Sequence, residues 1–205
     1  QQIRVYSLIC KAARDKGFLV PDMHSSGDDL GFTGAVVLDP KSGGYTEDIV
    51  CAMDFASLYP SIMMAHNMCG STLVTDPQYA YCTGVDYYEI EAAPGVKVRF
   101  AQTKDNVIPG LLYDLKALRK QAKRDMATAD NEFTKGLLNS RQLAYKLVMN
   151  SLYGALGSNH GLLCGLKKIS MSVTATGRWM IHETKRLVET LNPGSKVVYG
   201  DSVAA

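Results

Sequence analysis

Two long amphipathic segments with a short polar break between them restrict this chain's fold more than any other feature. "PGLLYDLKALRKQAKRDMATA", beginning at Pro109, places Leu111, Leu112, Leu115 and Leu118 along one helical stripe. "DNEFTKG" (130–136) reads as a turn, and "LNSRQLAYKLVMNSLYGALG" (138–157) as a second helix closed by glycines. Helices joined by so short a connection bury their apolar faces against each other, which predicts an antiparallel hairpin.

Around that hairpin the pattern alternates. Residues 2–16 place Ile3, Tyr6, Leu8, Ile9 and Ala13 at helical intervals, with Gly17 as the stop. "SSGDDLG" (25–31) reads as a loop, "FTGAVVLDP" (32–40) as a short strand ended by Pro40, and "KSGGY" as a turn. "IVCAMDF" (49–55) has the length of a buried strand, with Asp54 near its end. Pro60 then fits the first turn of a helix through Met63, Met64 and His66. Residues 70–108 are mixed apart from a strand-like "VKVRFAQ" (96–102). "SVTATGRWMIHETKRLVETL" (172–191) predicts a further helix ended by "NPG", and "SKVVYGD" (195–201) a closing strand. Strands interleaved with helices, and one helical hairpin between them, predict a compact α/β domain with a helical insertion.

Composition bounds the function without choosing it. With 205 residues, 46% apolar and 20% charged, the chain is ordinary globular material for one good-sized domain or two small ones sharing a core. A net charge of +2 is too small to announce nucleic-acid binding, so such a case rests on where the charges sit. The five cysteines (Cys10, Cys51, Cys69, Cys82, Cys164) show no CxxC spacing and an odd count, which predicts reduced, mostly packed thiols and an intracellular setting. No apolar run approaches the ~18 residues of a membrane span, and the N-terminal pattern lacks a signal-peptide layout.

Three clusters carry chemistry. In "MDFASLYPSI" a carboxylate ends a strand just before a turn rich in backbone amides. That suits a divalent cation with a phosphate chain, since Mg²⁺ takes one or two carboxylates and fills its shell with water and phosphate oxygens. An equally open reading makes Asp54 a cap for the helix near Tyr59–Pro60. In "LKALRKQAKR", Lys116, Arg119, Lys120, Lys123 and Arg124 supply five cations; Arg119 and Lys123 share a helical face, and a solvated surface is the alternative. In "KLVMNSLYGALG", Lys146, Asn150, Tyr153 and Gly154 share a face of the second helix. Core packing is the alternative for Tyr153 but not for Lys146, which would not be buried unpaired. In an antiparallel hairpin the Arg119/Lys123 and Lys146/Asn150 faces converge into a polyphosphate grip. Trp179 and His182 are expected to be structural in a packed helix, and Met63, Met64 and Met68 to fill core.

These clusters also carry a resemblance that extends over essentially the whole chain. "DFASLYPSIM" resembles motif A of the family B (delta-like and viral) DNA polymerases, "RQLAYKLVMNSLYGALG" resembles motif B, and "VVYGD" the opening of motif C. "FTGAVVLDPKSGGY", "LLYDLKALRKQAKRDM" and "ISMSVTATGRWMI" add similarity in the family's order, in wording nearest to polymerases of large DNA viruses of algae. The resemblance implies a palm interrupted by fingers: 1–107 as a first palm segment, 108–157 as fingers, and 158–205 as a second palm segment ending in a partial motif C. The chain then looks like an excerpt without exonuclease and thumb.

The resemblance also implies roles. Asp54 and Asp201 would be the catalytic carboxylates, binding two Mg²⁺ ions together with the Phe55 carbonyl. The amides of Ser57, Leu58 and Tyr59 would hold the triphosphate, and the Tyr59 ring would exclude a ribose 2′-hydroxyl. Arg119, Lys123, Lys146 and Asn150 would grip phosphates, while Ser151, Tyr153 and Gly154 would touch the nascent base pair and DNA. Implied partners are primer-template DNA, dNTPs and, through other parts of such a protein, a sliding clamp or accessory replication proteins; no membrane is involved. Replication in a viral or nuclear setting is the implied location. Family motif C normally carries two aspartates, whereas Ser202 follows Asp201 directly, so Asp201 aligns with either acid. The alternative function is therefore an inactive fragment that retains nucleotide or DNA binding only.

Overall fold

The computed structural model of the chain describes residues 2–20, 33–158, 163 and 166–202. Its longest unit is the expected hairpin: α3 (Ile108–Thr128) packed along α4 (Glu132–Leu156). Leu112, Leu115 and Ala122 from α3 are buried, as are Leu138, Met149 and Leu152 from α4. The turn is shorter than the expected 130–136. Asn131 caps α4, its Oδ1 accepting from Thr134 N at 2.7 Å, so the helix begins before Phe133 and Gly136.

Helix α1 (Gln2–Asp15) lies across both hairpin helices on the stripe Val5, Ile9, Ala13, which shares Ile9 and Ala13 with the expected set and leaves Ile3 exposed. Gly17 ends it as expected: its φ of 74° lets Phe18 N donate back to Ala13 O at 2.9 Å. Helix α2 (Leu58–Ala65) is short and almost wholly buried, with Met63 and Met68 filling core as the sequence predicts. It ends at left-handed Asn67, whose Nδ2 donates to Ala101 O and Thr103 O, both at 2.9 Å.

Those two carbonyls border an antiparallel pair, β1 (Tyr87–Ala93) and β2 (Val96–Ala101), in which Tyr87 faces Ala101 and Ile90 faces Val98. Strand β2 is the expected one; β1 falls in the stretch read only as mixed. Val98 and Phe100 point from β2 into the core, and α5 (Lys167–Leu191) covers β1. Helix α5 starts five residues earlier than expected. Its buried run from Ile169 to Gly177 is rich in small residues, while Trp179 (62% exposed) and His182 face outward. A mixed α and β architecture with an inserted helical hairpin is thus present.

Three expected strands are not strands. Residues 36–41 and 198–202 do run side by side, through Leu38 N to Gly200 O (2.8 Å), Lys41 N to Val198 O (2.9 Å) and Ser202 N to Val36 O (2.9 Å). Only the Val37–Asp201 bridge is regular, too little for a ladder. The 49–55 run has no regular structure and is far from buried, with Ile49 96% and Met53 71% exposed. An apolar run becomes a strand only when a neighbour takes its backbone hydrogen bonds, and none does so among the described residues. The loop expected at 25–31 and Cys164 lie outside the described residues. Of the other thiols, all free, only Cys69 is buried and Cys51 is exposed, so the expectation of mostly packed cysteines fails. No helix among the described residues is long and apolar enough to cross a membrane.

Candidate active site

The turn before α2 is the starting point. Asp54 stands exposed three residues ahead of Ser57, the true N-cap, which has φ 52° and makes no side-chain cap bond. Asp54 therefore does not cap α2, and one of the two open readings of this carboxylate is removed. A left-handed serine is costly for a residue with a Cβ, and such strain concentrates at functional turns. Ser61 holds the turn from inside the helix, its N donating to Ser57 O and its Oγ to Ala56 O, both at 2.9 Å. Phe55 and Ser57 are half-buried, and Leu58 is buried.

Helix α3 reaches this turn through Arg119. Its Nη1 donates to Ser57 Oγ at 3.4 Å and its Nε to Gln142 Oε1 of α4 at 3.2 Å. One guanidinium thus ties together the turn and both hairpin helices. Lys123, one turn further along α3, is exposed. Gln142 lies one and two turns before Lys146 and Asn150, which are half-buried along that side of α4. Gln142 escaped the sequence reading, although its spacing of four from Lys146 was a usable signal. Ser151 is half-buried and Gly154 exposed, with open space where a Cβ would stand.

The remaining elements meet at Tyr59. This residue is 3% exposed, its ring centroid is 4.4 Å from that of Tyr153 on α4, and its hydroxyl donates to Ser202 O at 2.6 Å. Asp201, the residue before, accepts a 2.8 Å hydrogen bond from Tyr199 on Oδ2. Burial pushes the Tyr59 phenol up, Asp201 adds to that, and Arg178 opposes it. Tyr153 is pushed up more strongly, by burial first and then by Tyr59, again against Arg178. Arg178, from α5, donates through Nη1 to Thr33 O (2.7 Å) and Gly34 O (2.8 Å), holding the segment that leads to Val36 beside Ser202. Nothing in the sequence singled out Arg178 or Ser202, because their partners lie more than 140 residues away.

A hard divalent cation asks for oxygen donors, and the Asp54 carboxylate, the Phe55 carbonyl and the Asp201 carboxylate are of that kind. The described residues hold no cluster of three or more His, Cys, Asp or Glu able to bind a metal. A hard divalent cation held by these donors would complete its shell with water or phosphate oxygens.

Tyr59 buried just after a strained turn, the half-buried Tyr153 against its ring and Arg119 reaching that turn from the hairpin form one site, and comparison with known proteins gives the class. The DNA polymerase family B profile matches residues 1–203, and the chain belongs to that family. It is 45% identical over 211 residues to the DNA polymerase of Paramecium bursaria Chlorella virus NY2A, covering 98% of this chain and 23% of that protein. It is 40% identical over 214 residues to the DNA polymerase delta catalytic subunit of Caenorhabditis elegans, covering 98% of this chain and 19% of that protein. The family B DNA polymerase from the hyperthermophilic archaeon Pyrobaculum calidifontis superposes with a TM-score of 0.67 at 27% identity, over 97% of this chain and 25% of that one. The chain thus spans about a fifth to a quarter of the relatives it matches.

Proposed function

We propose that the chain is the catalytic segment of a DNA-directed DNA polymerase, transferring deoxynucleotides to a primer 3′ end on a template. The observation that carries this is the meeting at Tyr59: one side chain from the turn touches the α4 aromatic and the residue after Asp201. Residues 1–107 and 158–205 are assigned to the palm, and 108–157 to the fingers. Asp54 and Asp201 are the catalytic carboxylates, with the Phe55 carbonyl beside them. Two Mg²⁺ ions, when bound there, supply charge neutralisation for phosphoryl transfer.

The protein's own groups do the positioning. The amides of Ser57, Leu58 and Tyr59 face the triphosphate at the α2 N-terminus, where donors lack intrahelical partners. Arg119, Lys146 and Asn150 grip the phosphates, with Lys123 at the entrance. Tyr59 bars a 2′-hydroxyl, and Ser151, Tyr153 and Gly154 border the base pair, where the missing Cβ of Gly154 leaves room for a flat base. Partners are primer-template DNA, dNTPs and accessory replication proteins such as a sliding clamp, at an intracellular site of viral or nuclear replication.

The test uses the complete polypeptide that carries this sequence. Lys146→Ala and Asn150→Ala should each weaken Mg²⁺-dependent dNTP binding about tenfold or more, the loss of a hydrogen bond to a charged group. Unchanged affinity in both variants refutes the assignment. A second reading, nucleotide or DNA binding without turnover, is favoured by one observation: Ser202, next after Asp201, is buried and committed to Val36 and Tyr59. Primer extension by this chain beside that of the complete polypeptide decides between the two: the binding-only reading predicts retained affinity with no extended product from this chain and product from the complete polypeptide.

A further inference from the structure

Glycine is the poorest helix former after proline, yet Gly177 sits buried inside the 25-residue helix α5. An interior helical glycine has a packing reason when something stands where its Cβ would be. Here that something is Tyr59. A Cβ on Gly177 would lie 3.3 Å from Tyr59 Cε1, 3.8 Å from Ser202 Cβ and 3.9 Å from Ile62 Cδ1. The ring has little room to yield. Its centroid is 4.4 Å from that of Tyr153, and its hydroxyl is tethered to Ser202 O at 2.6 Å.

We propose that Gly177 is a positioning residue for sugar discrimination: by lacking a side chain it sets the depth at which the Tyr59 ring rests, with its hydroxyl on Ser202 O. The proposal rests on the reading of Tyr59 as the residue that bars a 2′-hydroxyl. A Cβ at position 177 forces the ring outward by about a few tenths of an ångström, tighter than ordinary carbon contact allows. The displaced ring holds Ser202 O less tightly, and a gate held less firmly separates deoxyribose from ribose less sharply.

The experiment measures single-nucleotide incorporation of dCTP and CTP by the complete polymerase, with Gly177→Ala, Tyr59→Phe, the double variant and Tyr59→Ala. Gly177→Ala should lower the dCTP/CTP preference about tenfold, chiefly through KM for CTP and with kcat for dCTP little changed, a range typical of steric discrimination. In the Tyr59→Phe background, where the tether is already absent and the ring can give way, the same substitution should change the preference less than about twofold. Equal effects in the two backgrounds overturn the proposal. Should Gly177→Ala alone fail to accumulate folded, Gly177→Ala/Tyr59→Phe must recover folded protein, and failure to do so also overturns it. If Tyr59→Ala leaves the preference unchanged, the sugar reading falls separately. Thermal melting of the parent, Gly177→Ala, Tyr59→Phe and their double variant then decides the ring-positioning claim by its coupling alone, additive shifts refuting it.

Discussion

Tyr59 and Tyr153 set two phenols in ring contact within a region that disfavours their anions. Both are shifted upward, chiefly by burial, and Tyr153 is raised further by Tyr59. A phenol whose folded pKa exceeds its unfolded value near 10 contributes fully below that value. That contribution is lost as pH climbs through the interval towards the folded pKa, because the unfolded chain releases its proton first. The chain should therefore lose melting temperature steeply above pH about 10, and Tyr153→Phe should flatten that limb; a parallel curve for the variant refutes the coupling to Tyr153. At this scale the sequence picked Tyr59 and Tyr153 through motif resemblance, but their mutual contact is a product of folding. The same holds for Asp54. Its two open readings separate only at the start of α2, where Ser57 and not Asp54 stands as the N-cap.

Secondary elements were legible where local periodicity was strong. Helices α1, α3, α4 and α5 follow from 3.6-residue patterning and glycine or proline punctuation. Only the starts of α4 and α5 lie several residues before the expected ones, and at α4 the reason is a capping side chain inside turn-like composition. Asn131 is the plainest case: its Oδ1 satisfies an orphan amide, turning the expected turn into the first turn of α4. Asn131→Ala should destabilise the fold by about 1 kcal/mol in urea titration, with Asn131→Asp or Asn131→Ser recovering most of it. No change in midpoint for the alanine variant means that the cap contributes nothing. Strands were less legible. Strand β1 is hidden in the sequence because its pattern is only half-buried, and the apolar content of 49–55 predicts a strand that no neighbour among the described residues pairs with.

At the scale of the whole molecule, α1, α2, β1, β2, α3, α4 and α5 all contribute to one continuous core, with the hairpin rooted in it. Phe100 is among its largest fully buried side chains. Phe100→Ala should cost about 3–5 kcal/mol. Because the core is shared, near- and far-ultraviolet circular dichroism should lose structure together and at the same lowered midpoint. Separate transitions would show that hairpin and base fold as independent units.

Local order along the chain settled the helices, the glycine stop of α1, the methionine packing and the family, since short-range periodicity and contiguous motifs need no knowledge of distant neighbours. Folding alone decided which backbones pair, where Arg119 and Arg178 reach, and that Gly177, Tyr59, Tyr153 and Ser202 share one space. Those outcomes depend on contacts between groups far apart in the chain, whose closure is governed by the packing of the entire core and leaves no periodic trace in the residues themselves.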